Sequence, residues 1–116
     1  RPSAVSGMIS AEIRERYLRD PLPIRLGGLA ADLARLASCG DNPANHRVVT
    51  SLMEEAKYFA EWAAPEAELE VQARLAEIQR TVAWWQRRWE TGRADPQLLQ
   101  QANGWADELL QMAGLV

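Results

Sequence analysis

Apolar residues recur along this chain at helical spacing, and nowhere do they alternate with polar ones as a half-buried strand requires. The clearest stripe is Val71, Leu75, Ile78, Val82, Trp85 and Trp89, which advances 4-3-4-3-4. It is answered downstream by Leu98, Ala102, Trp105, Leu109, Met112 and Val116 at the same spacing. Two stripes of coiled-coil period, joined by a short polar break, predict two helices that pack along their lengths. They also assign most of the large apolar side chains to a core.

Proline and glycine divide the rest of the chain. Ser10 caps a first short helix with Ile13 and Tyr17 on its inner side. Asp20-Pro21-Leu22-Pro23 predicts an extended connection, because proline disfavours helix at the residue before it and inside it. A second helix is expected over 24–39, with Leu26, Leu29, Leu33 and Leu36 as its stripe and Gly40 as a left-handed cap. Its small residues, Gly27, Ala30, Ala31, Ala34, Ala37 and Ser38, predict close approach by neighbouring helices.

Asn42 followed by Pro43 is a start signal for a third helix over 43–63, carrying Val49, Leu52, Ala56, Phe59 and Ala63. Pro65 with Glu66 and Glu68 reads as a turn and a new start, which predicts a fourth helix over 65–91, ending near Thr91-Gly92. Asp95-Pro96 opens a fifth that runs to the C-terminus. With connections this short, the expected fold is all-α, an antiparallel up-down four-helix bundle with an additional short N-terminal helix across it. Residues 8–116 form one helical-bundle domain. Residues 1–7 show no periodicity and read as a disordered or exogenous segment ahead of Met8.

Composition narrows function mainly by exclusion. The net charge of −3 argues against nucleic acid as the dedicated partner, since such proteins carry a basic excess. The longest apolar stretch is broken by Asp32 and Arg35, so no membrane span is expected. A single cysteine, Cys39, permits no intrachain disulfide and suits a cytoplasmic protein. One cysteine and one histidine, His46, are too few for a zinc site, and no Glu-x-x-His pair offers a di-iron site, so neither metal nor cofactor is expected. No glycine-rich phosphate loop occurs.

Trp84 is the large residue that the core does not explain. It lies about 160° around the helix from the stripe of Val82 and Trp89. Arg80, Arg87 and Arg88 surround it, and tryptophan and arginine are the types most enriched at protein interfaces. Three readings stay open: the first helix or the N-terminal segment covers Trp84, a protein partner or second copy does, or single-stranded nucleic acid stacks on it. A non-enzymatic interaction module is the expected function. The alternative is a small-molecule-binding protein or small enzyme with a pocket between helices 2 and 3, and Cys39, Asp41 and His46 at its mouth.

The stretches DPLPIRLGGLAADLARL (20–36), EEAKYFAEWAAPE (54–66) and WWQRRW (84–89) resemble a family of uncharacterised small all-helical proteins from cyanobacteria. The resemblance spans from about Ile13 to the C-terminus. It implies a cytoplasmic all-helical protein and brings no activity or site residue with it.

Overall fold

The computed structural model describes residues 11–89 and 96–115. The expected caps at Ser10 and Asp95, the helix end at Thr91-Gly92 and the last stripe position, Val116, lie outside the described residues. Within them the chain is all-α: α1 (Ala11–Arg19), α2 (Leu22–Cys39), α3 (His46–Ala63), α4 (Leu69–Trp89) and α5 (Pro96–Met112), with no strand among the described residues.

Helix boundaries depart from expectation where proline is concerned. Pro23 lies inside the first turn of α2 rather than in an extended link, because a first-turn N–H has no intrahelical acceptor and proline loses nothing there. Pro43 opens a 3₁₀ turn, Pro43–Asn45, capped by the Asn42 side chain accepting from the Ala44 N–H at 2.9 Å, and α3 proper begins at His46. Pro65 does turn the chain, within a 3₁₀ turn, Ala64–Glu66, that prolongs α3. Extended Ala67 then breaks the helix and α4 starts at Leu69, so Pro65 and Glu66 do not open it.

Gly40 is also unlike its expected role. Its φ of −73° is right-handed, so no left-handed cap forms there. Packing excludes a side chain instead: a Cβ at Gly40 would stand 2.6 Å from Leu99 Cδ2 and 2.7 Å from the Leu36 carbonyl oxygen. Among the described residues the left-handed glycine is Gly114, with φ +74°. There the Leu115 N–H donates to the Leu110 carbonyl at 2.9 Å and closes α5.

The stripes are buried as their period requires. Leu75, Ile78, Val82, Trp85 and Trp89 of α4 and Leu98, Ala102, Trp105 and Leu109 of α5 all lie in the core, while the end positions Val71 and Met112 are half-buried. The two helices do not, however, pack along their lengths. α2 lies against α5 on one side and α3 on the other, α3 lies against α4, and α4 approaches α5 only locally. The contact between the stripes runs through Trp85 and Trp105, whose ring centroids are 5.4 Å apart. Bulky indoles on both stripes hold these two backbones apart, whereas alanines draw the others together. Those buried alanines are Ala30 on α2, Ala56, Ala60 and Ala63 on α3, and Ala102 and Ala106 on α5; Ala31, Ala34 and Ser38 face outward.

Candidate functional site

The phase of α4 fixes where Trp84 points. With Val82, Trp85 and Trp89 inside, Trp84 emerges on the opposite side and is 53% exposed. Arg88, one turn further on, lays its guanidinium carbon 4.8 Å from the centroid of the indole, a cation–π contact. Arg80, one turn before, and Arg87 are also exposed. The structure therefore gathers all four residues on one face of α4.

α1 does not cover this face. It rests on α3, where Tyr17 stacks on Phe59 with centroids 4.0 Å apart and rings 9° from parallel. The Tyr17 hydroxyl donates to the Arg25 carbonyl at 2.9 Å, which ties α1 to α2 as well. Burial pushes the Tyr17 phenol well above its ordinary range, so it stays a neutral donor.

Cys39, Asp41 and His46 do not form one cluster. Among the described residues no hydrogen bond or ion pair joins them. Cys39 is half-buried against the core and its carbonyl accepts from Asn45 Nδ2 at 3.0 Å. Asp41 is exposed in the loop. His46 turns the other way and stacks on Trp89, with centroids 5.4 Å apart and an interplanar angle of 13°. It lines a groove of about 500 Å³ between α3 and α4, together with Lys57, Arg87 and Trp89. Glu54 stands in the same groove and accepts from Gln86 Nε2 at 3.0 Å. The Trp89 indole N–H is buried, with no hydrogen-bond partner among the described residues.

Sequence reasoning missed two buried charges on α2. Arg25 is 2% exposed and Asp32 7%. They sit seven residues apart, two turns along one flank of a helix that is otherwise apolar inside. That spacing was the available signal. Arg25 donates from Nε to the Asp20 carbonyl at 2.9 Å and from Nη2 to Glu66 at 2.8 Å. Asp32 faces Glu55 of α3, and burial first, then the Glu55 carboxyl beside it, push its carboxyl up to about 9. Glu55 itself lines a second cavity of about 380 Å³ under α1, with Tyr17, Ile24 and Phe59.

Among the described residues no group of three or more His, Cys, Asp or Glu side chains is arranged to hold a metal ion. No helix among them is long and apolar enough to cross a membrane. No protein-family model, curated protein or solved structure matches the chain.

Proposed function

We propose that this protein is a non-enzymatic, cytoplasmic interaction module. In this reading α2 to α5 form an up-down antiparallel four-helix bundle with α1 across it, and the outer face of α4 is the working surface. Kinship with the small all-helical cyanobacterial proteins that the sequence resembles is part of the same proposal and brings no activity to it. The observation that carries the reading is the half-exposed Trp84 indole with Arg88 stacked on it and Arg80 and Arg87 beside it. An exposed tryptophan held flat by an arginine is preorganised, so a partner that covers it gains apolar burial at little cost in side-chain entropy.

Affinity capture tests this, using the tagged chain against a lysate of its source organism and against a differently tagged second copy. Trp84→Ala and Arg80→Glu are expected to lose at least about tenfold of the captured partner with an unchanged melting temperature. Equal capture by wild type and both variants overturns the reading, as does a Trp84→Ala chain that melts several degrees lower.

The groove between α3 and α4 supports a second reading, as a binding site for a small anionic ligand. His46, Lys57 and Arg87 bring donors to its walls and the His46–Trp89 stack gives it a flat aromatic wall. Calorimetric titration with small aromatic carboxylates tests it; heats identical for wild type and Lys57→Ala remove it.

A further inference from the structure

The outer face of α4 has an internal order beyond its tryptophan. Its positions are Glu70, Ala73, Glu77, Arg80, Trp84 and Arg87, stepping 3-4-3-4-3. They occupy an arc of roughly 100° on the side away from Leu75, Ile78 and Val82. Paired from the two ends inward, every residue finds its complement: Glu70 with Arg87, Ala73 with Trp84, Glu77 with Arg80. Acid mirrors base, and small mirrors large.

Among the described residues nothing covers this face, and the N-terminal segment, the other candidate cover for Trp84, lies outside them. Glu70, Ala73, Arg80 and Arg87 are exposed, and the Glu77 side chain is 41% exposed at the edge, against Arg74. Arg74 is held in turn by Glu108 of α5, which fixes the position of Glu77. Leu69, at 81% exposure, stands at the start of the same face.

We infer that this face docks a second copy of the chain, laid antiparallel on α4 about a two-fold axis passing between Ile78 and Gln79. The inference rests on the outer face of α4 being an interaction surface, and it names the occupant. In a two-fold contact, a residue that meets its mirror position is met by it in return, so each pairing occurs twice. Each Trp84 then lies over Ala73 of the second copy, where the missing bulk lets the helices approach to the usual 8–10 Å. Each Arg80 meets Glu77 of the second copy, and each Arg87 meets Glu70. Leu69 falls opposite Arg88, whose aliphatic stem can cover it. A parallel arrangement would set Glu on Glu and Arg on Arg, which selects against it.

A contact of one helix per copy buries less than a standard interface of about 1,600 Å², so the association is weak and is measured by sedimentation equilibrium over roughly 5–500 µM chain. Wild type is expected to double in mass across that range. Glu77→Arg alone and Arg80→Glu alone each place like charges across the axis, and each should raise the dissociation constant at least about tenfold. An equimolar mixture of these two variants restores every pairing, and should dimerise within about threefold of wild type. Melting temperatures within about 2 °C of wild type establish that both variants fold. A wild-type chain that stays monomeric throughout overturns the inference, yet leaves the capture experiment above free to identify another partner. A dimer that the single variants do not weaken, or that the mixture does not restore, overturns the antiparallel register.

Discussion

The carboxyl of Asp32 on α2 lies against the carboxyl of Glu55 on α3, inside the contact between the two helices. Burial and the neighbouring carboxyl both favour the protonated form of Asp32. The folded Asp32 holds its proton up to about pH 9, while the unfolded group releases it near 3.8. Between these values the native chain binds more protons than the unfolded chain, so stability falls as pH rises. It is highest, for this group, below the unfolded value, and flat again above the folded one. Asp32→Asn keeps a donor for Glu55 and removes the titration. It should raise the melting temperature by about 5 °C at pH 8 and hardly at all at pH 4. Thermal melts of both chains across that range decide the matter, and parallel curves would count against a protonated Asp32 in the folded chain.

Adjacent tryptophans should behave oppositely. Trp85 is buried against Trp105, so Trp85→Ala should cost about 3–5 kcal/mol in urea unfolding. Trp84 projects outward, and Trp84→Ala should change stability by less than about 0.5 kcal/mol. Similar losses for both would contradict the phase of α4.

Two glycines make a matched pair. At Gly40 a methyl group would collide with Leu99 and with the Leu36 carbonyl, and Gly40→Ala should destabilise by about 1–3 kcal/mol. At Gly104, inside α5, no neighbouring atom of the described residues lies within 4 Å of an added Cβ. Gly104→Ala should therefore stabilise by about 1 kcal/mol through helix propensity. Denaturant midpoints measure both.

Glu66 is 59% exposed on its side chain, yet its removal should register like that of an interior group. Its partner, Arg25, is 2% exposed and would lose the acceptor for Nη2. Glu66→Ala should cost about 1.5 kcal/mol, against less than about 0.5 for the exposed neighbour Glu68→Ala. Equal effects in urea unfolding would mean that water replaces the carboxylate.

Much of the fold is legible in the chain, because a helix announces itself through periodicity that needs no knowledge of its partner. Leu75, Ile78, Val82 and Trp85 are core by spacing alone, and that same spacing sends Trp84 outward. The candidate face of α4, down to Arg80, Arg87 and Arg88, follows from that phase. The pocket of Cys39, Asp41 and His46 does not. Proximity in a loop says nothing of direction, and His46 points toward Trp89 on a helix more than forty residues away.

Periodicity along the chain is enough for the class of the fold, the inward face of each helix and the outward placing of Trp84, since all three are local consequences of a 3.6-residue turn. Which helices touch is settled only in three dimensions, because it depends on how indoles and alanines on different elements fill shared space. The tertiary structure alone brought Asp32 to Glu55 and Arg25 to Glu66, and it alone gave Gly40 its reason, in the nearness of Leu99.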